Sequence, residues 1–157
     1  MADKKIKQSI EEQLINTVKI YNPDVNAEII VKAMVYAKNK HEGQTRASGD
    51  PYYTHPIEVA MLLAEMNMDT DTILTAILHD TLEDTDATME ELTTFFGKQV
   101  ATLVNGVSKL TKIESQTVEG KQAENFRKLV LAMSEDVRVL LVKLAARLHN
   151  MRTLHYF

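Results

Sequence analysis

Apolar residues at Ile6, Ile10, Leu14, Val18 and Tyr21 recur at spacings of four, four, four and three, which draws one stripe along a helix over Lys4 to Tyr21. Pro23 ends it. Asn26 or Asp24 can cap a second helix running to about His41, with Ile29, Ile30, Ala33, Met34 and Ala37 on its buried side and Gly43 marking its end. The segment EGQTRASGDPYYTHP holds Gly43, Gly49, Pro51 and Pro56 with few aliphatic residues, so it reads as an ordered connection rather than a strand. Pro56 suits the first turn of a third helix carrying Ile57, Val59, Ala60, Leu62, Leu63 and Met66, with His55 at its entrance and facing a pocket mouth.

Thr70 to Thr81 reads as a fourth helix, apolar nearly all round at Ile73, Leu74, Ala76, Ile77 and Leu78, as expected of a buried central element. It delivers His79 and Asp80 at its final turn. Thr88 and Glu91 form a capping box for a short fifth helix ending at Phe95 and Phe96, and Gly97 separates it from a sixth through Val100, Leu103, Val104 and Val107. The polar run from Lys109 to Gly120 is expected to be a mobile loop. Gln122 to Met133 and Val137 to about Met151 supply two more helices, the last carrying Val139, Leu140, Leu141, Leu144, Ala145 and Leu148. With no alternating strand pattern and no internal repeat, the expected class is all-α.

Composition narrows the chemistry. At 157 residues, 45% hydrophobic and 25% charged, the chain fits a single domain with a core of its own over residues 1–157. A net charge of -4 argues against a nucleic-acid polymer or an anionic membrane as partner, although a local basic group could still hold a small phosphorylated ligand. The absence of cysteine leaves imidazole and carboxylate as the donors for a transition metal. No run of apolar residues is long enough to span a bilayer, and MADKKIKQSIEE lacks the apolar centre of a secretion signal, so a cytoplasmic protein is expected.

The densest chemistry lies in TAILHDTLEDTD, Thr75 to Asp86, where one imidazole and four carboxylates follow an apolar run. Carboxylates so crowded repel one another unless solvent, hydrogen bonds or a cation intervenes. His79 at a helix end could simply complement the dipole, but Asp80 beside it is disfavoured there without compensation. Glu83, Asp84 and Asp86 could equally form a solvated acidic loop.

The motifs HEGQTRASGDPYYTHP, ILHDTLEDT, Phe96-Gly97, LVNGVSKL, QAENFRK and KLAARLHNMRTL occur in that order. Together they resemble the hydrolase domain of the RelA/SpoT-homologue family, enzymes that turn over the alarmone (p)ppGpp, and the resemblance extends from about Val25 to Leu154. It implies a compact multi-helix fold of the His-Asp (HD) metal-dependent phosphohydrolases and a divalent cation, commonly manganese. Carried over by motif, His55, His79 and Asp80 are implied metal ligands, and Glu83 and Asp84 the acidic pair that places and activates the attacking water. Arg46 and Ser48 are implied nucleotide contacts, and Asn150 with Thr153 line the nucleoside side. His149 and His155 fit no ligand spacing and are read as structural.

The chain departs from the family pattern where the fourth metal ligand, an aspartate, is expected: Ala146 stands there and cannot coordinate. Lys143, Ala146, Asn150 and Thr153 follow spacings of three, four and three and so share one helix face, which points the Ala146 methyl at the metal position. Either an introduced inactivating change or natural degeneration accounts for it. The residue after Arg46, often lysine in the family, is Ala47, and the chain stops soon after the last motif, where the family usually continues. The implied reaction is attack of water on the 3'-diphosphate of (p)ppGpp, giving GDP or GTP and pyrophosphate, impaired in this chain. The alternative is a non-catalytic nucleotide-binding or regulatory module derived from that hydrolase.

Overall fold

A computed structural model describes residues 9–46, 49, 51–115, 127 and 136–153. These form eight helices: α1 (Ile10–Tyr21), α2 (Ala27–Lys40), α3 (Thr54–Glu65), α4 (Thr70–Leu78), α5 (Thr81–Asp84), α6 (Met89–Phe96), α7 (Lys98–Ser115) and α8 (Val137–Arg152). Ile6, Ser48, His155 and the helix expected over Gln122 to Met133, Arg127 apart, lie outside the described residues. Among those described, extended pairing is limited to an isolated bridge between Thr45 and Pro51. The all-α expectation holds.

Local chemistry sets the helix starts. The side chains of Ser9, Asn26, Thr88 and Asp136 accept hydrogen bonds from the backbone N–H groups of Glu12, Glu28, Glu91 and Arg138, each satisfying a donor that a helix leaves unpaired in its first turn. Gly97 closes α6 at φ +92, a left-handed conformation open to glycine at little cost.

Helix α4 is the centre. Every residue from Thr72 to Leu78 is buried, against α3 on one side and α2, α7 and α8 on others, as the all-round apolar pattern requires. It stops at Leu78, however, rather than continuing to Thr81. Two side chains take the carbonyls that would have carried it on: His79 Nδ1 lies 2.6 Å from the Ala76 oxygen, and Thr81 Oγ1 donates to the Leu78 oxygen at 2.7 Å. The chain turns at His79 and Asp80 before α5 begins, which presents both side chains at the bend.

The expected loop from Lys109 is also corrected in its first part, because α7 runs on to Ser115. Leu110 is buried and continues the stripe of Val100, Leu103, Val104 and Val107, so Lys109 and Lys112 are the polar face of the same helix. In α8 the inward residues are Val139, Val142, Ala145, Ala146 and His149, while Leu144 and Leu148 are exposed. Helix α8 is anchored at its N-terminus by Arg138, which donates to Asp69 before α4 and to Asp136, each at 2.7 Å. That clamp fixes α8 lengthwise against α4.

Candidate metal centre and its cavity

The loop between α2 and α3 folds over the bend after α4. Its Thr45–Pro51 bridge is reinforced by Tyr52 N–H donating to the Gln44 carbonyl at 2.9 Å, and the Gln44 amide donates to the Asp84 carbonyl at 3.0 Å. The loop thereby brings Arg46 and Tyr52 to the same cavity as His55 from α3, His79 and Asp80 from the bend, and Lys143, Ala146 and Asn150 from α8. The cavity measures about 530 Å³.

His55, His79 and Asp80 each offer a ligand atom, and these atoms all lie within 4.8 Å of one another. His55 and His79 are buried, with ring centroids 5.5 Å apart. Asp80 Oδ2 sits 3.2 Å from His79 Nε2 and 4.0 Å from His55 Nε2, and it accepts a hydrogen bond from the Tyr52 hydroxyl at 3.1 Å.

The donor directions call for a cation. A carbonyl oxygen only accepts, so His79 Nδ1 must carry the hydrogen that meets Ala76. The Nε2 of a neutral His79 would then turn its lone pair on the Asp80 carboxylate 3.2 Å away, a repulsive arrangement unless a proton or a metal ion lies between them. Burial opposes charge on His79, yet the Asp80 carboxylate and its hydrogen bond raise the imidazole above its ordinary range. Burial likewise opposes charge on Asp80, and the adjacent His79, His55 and Tyr52 outweigh it, holding the carboxyl well below the usual range. For His55, burial first and then a charge on His79 push the imidazole down to about 2, so it is a neutral ring with a lone pair to offer. An ion that displaces the proton between His79 Nε2 and Asp80 would meet two imidazole nitrogens and one carboxylate, a donor set suited to a borderline divalent cation.

Ala146 is buried and lines the cavity beside these groups. It adds a methyl group and no donor. The acidic pair sits behind Asp80. The Tyr52 hydroxyl bridges Asp80 and Asp84, the latter at 3.4 Å, while Glu83 accepts a hydrogen bond from Ser108 of α7 and leaves Oε1 buried without a partner. Burial raises the pKa of both Glu83 and Asp84, and the charge of Asp80 adds to it.

Arg46, Asn150 and Thr153 come together: Arg46 donates to Asn150 Oδ1 at 2.9 Å and to Thr153 Oγ1 at 3.4 Å. Helical spacing left His149 without a role, but the structure buries it against His55, ring centroids 4.8 Å apart, with Arg46 and Glu58 also in contact. One signal was available, since His149 follows Ala146 by three residues and so lies on a neighbouring part of the same helix face.

A family model described as "HD domain" matches residues 33–156, so the fold is that of an HD-domain protein. Curated relatives include "GTP pyrophosphokinase rsh" of Brucella melitensis, 56% identical over 90% of this chain and 19% of that protein. Another is "Bifunctional (p)ppGpp synthase/hydrolase SpoT" of Escherichia coli K12, 50% identical over 91% of this chain and 20% of that one. A solved structure of a metazoan ortholog of SpoT, described as hydrolysing ppGpp, superposes with a TM-score of 0.61 at 31% identity, covering 80% of this chain and 69% of that one. The chain belongs to the RelA/SpoT-homologue branch of the HD-domain family. It spans about a fifth of the length of the curated relatives it matches.

Proposed function

We propose that this chain is the (p)ppGpp hydrolase domain of that family, cleaving the 3'-diphosphate to give pyrophosphate and GDP or GTP, with turnover impaired by Ala146. The observation that carries the proposal is the convergence of His55, His79 and Asp80 on one side of a cavity whose other walls hold Arg46 and Asn150. His55, His79 and Asp80 would hold the cation, which resemblance to the family makes manganese. Bound there, a divalent cation would neutralise charge around a crowded phosphorus and lower the pKa of a water toward neutrality.

The protein's own groups divide the remaining work. Arg46 matches a phosphate oxygen pair with its planar fork, and Ser48 is placed beside it in sequence. Asn150 and Thr153 offer the nucleoside an amide and a hydroxyl while holding Arg46 in place. Glu83, with one buried oxygen unpartnered and its pKa raised, is suited to take a proton from water, and Asp84 shares Tyr52 with Asp80 so that it orients the same region. A nucleotide substrate of this kind fits a cytoplasmic setting.

The test is pyrophosphate release from ppGpp by this chain and by Ala146→Asp, with and without manganese. Manganese-dependent release that is much faster in the Ala146→Asp variant supports the proposal. If both chains bind manganese and ppGpp yet neither releases pyrophosphate, the hydrolase reading fails. A nucleotide-binding module then replaces it, a second reading favoured by the Arg46, Asn150 and Thr153 cluster standing beside a wall with no fourth donor.

A further inference from the structure

We propose that Glu58 and His149 act as positioning residues behind His55, locking its imidazole as the Nδ1–H tautomer so that the Nε2 lone pair faces the cavity, ready for a divalent cation. The relay rests on the metal reading above and extends it to two residues with no place in the motif-implied ligand set.

Hydrogen-bond direction fixes each proton in turn. His149 Nδ1 lies 3.4 Å from Arg46 Nη1 and 2.6 Å from His55 Nδ1. A guanidinium nitrogen can only donate, so a hydrogen on His149 Nδ1 would face another donor; the ring proton therefore sits on Nε2, which leaves Nδ1 with its single lone pair. His149 Nε2 is in contact with the Glu58 carboxylate, which can only accept when ionised, so the second constraint agrees with the first. Because His149 Nδ1 carries no hydrogen, the close contact with His55 requires the hydrogen on His55 Nδ1; two lone pairs at that separation would repel. His55 is then left with an unprotonated Nε2, the atom on the Asp80 side.

The chain of contacts runs from Glu58 on the second turn of α3, across to His149 on α8, and back to His55 at the start of α3. It therefore ties the two helices together at the depth of the ligand set. Partners of this sort commonly set the orientation and basicity of a metal-bound imidazole, and their loss weakens metal binding by about 10–100-fold. Glu58 is half exposed, so its replacement leaves the buried core intact.

Ring nitrogens of the metal-free, ¹⁵N-labelled chain at about pH 8, above the ordinary imidazole range, report the tautomers directly through long-range proton–nitrogen correlations. The expected spectrum has His55 protonated on Nδ1 and His149 on Nε2. In Glu58→Leu the His149 lock is released, His55 shows a mixture of tautomers, and the manganese dissociation constant read by calorimetry rises by about tenfold or more. His55 protonated on Nε2 in the unaltered chain overturns the relay. So does a Glu58→Leu chain that binds manganese as tightly as its parent. If the unaltered chain takes up no manganese at all, the metal reading fails by itself, and the two ring tautomers still decide whether the relay exists.

Discussion

Gly106 of α7 faces α8 at close range. A Cβ placed on it would lie 2.9 Å from Val139 Cγ2 and 3.4 Å from Cγ1, with Val139 Cβ at 3.7 Å. Two effects compete in Gly106→Ala. Alanine is favoured over glycine within a helix by about 1 kcal/mol. Overpacking a filled interface costs about 1–3 kcal/mol, and the upper half of that range applies because a β-branched valine has little rotamer freedom with which to retreat. The clash should win, leaving a net destabilisation of about 1 kcal/mol, or roughly 2–4 °C in Tm for a domain of this size. Val139→Ala alone removes two buried methyl groups at about 0.8 kcal/mol each. In the double variant the Cβ of residue 139 remains at 3.7 Å, an ordinary van der Waals contact, so Gly106→Ala becomes stabilising there, and the two substitutions should be coupled by about 2 kcal/mol. Thermal and urea unfolding of the four proteins, followed by circular dichroism, gives the cycle. A Gly106→Ala chain more stable than its parent, or additivity within about 0.5 kcal/mol, would refute the close-approach argument.

Further outcomes follow from the core, the cap and the cavity. Leu78→Ala, at the fully buried end of α4, should cost about 2–5 kcal/mol in urea unfolding, and a loss below about 1 would show that the site collapses freely. Asp136→Ala removes the α8 cap and one arm of the Arg138 clamp, for about 1–2 kcal/mol near neutral pH. Hydrogen bonding from Arg138 holds the Asp136 carboxyl below its ordinary range, so its contribution is present above about pH 4 and fades as pH falls through the folded-state value. Equal stability differences between parent and variant at neutral and strongly acidic pH would contradict this. Tyr52→Phe deletes the hydroxyl shared by Asp80 and Asp84 and should weaken manganese binding about tenfold in calorimetry; unchanged affinity would mean that the hydroxyl does not support the ligand set.

The sequence carries the parts of this fold that periodicity governs. All-round apolarity between Ile73 and Leu78 translates directly into burial, and Asn26, Thr88 and Pro56 sit where their backbone preferences place helix starts. What escapes are effects set by side chains reaching across turns or between helices. The stop after Leu78 depends on His79 and Thr81 capturing carbonyls, which no spacing rule encodes. The length of α7 was hidden because Lys109, Thr111 and Lys112 obscure the single buried Leu110 that continues the stripe. On α8 apolar residues run consecutively from Val139 to Val142 and so fall on every face, and pattern could not tell that Ala146 and His149 face inward while Leu144 and Leu148 face out. His55, His79 and Asp80 were legible as a set through motif order; their mutual distances, and the Glu58 and His149 contacts behind them, arise from tertiary packing alone.

Arg46 has neutral partners among the described residues: an amide oxygen, a hydroxyl and an imidazole. None cancels its charge, so in a chain whose overall balance is negative the mouth of this one cavity keeps a permanent positive end. Anions arriving from solution thus meet a fixed positive charge at this cavity, on a chain whose summed charge opposes them. Added salt screens that charge, and capture should slow accordingly.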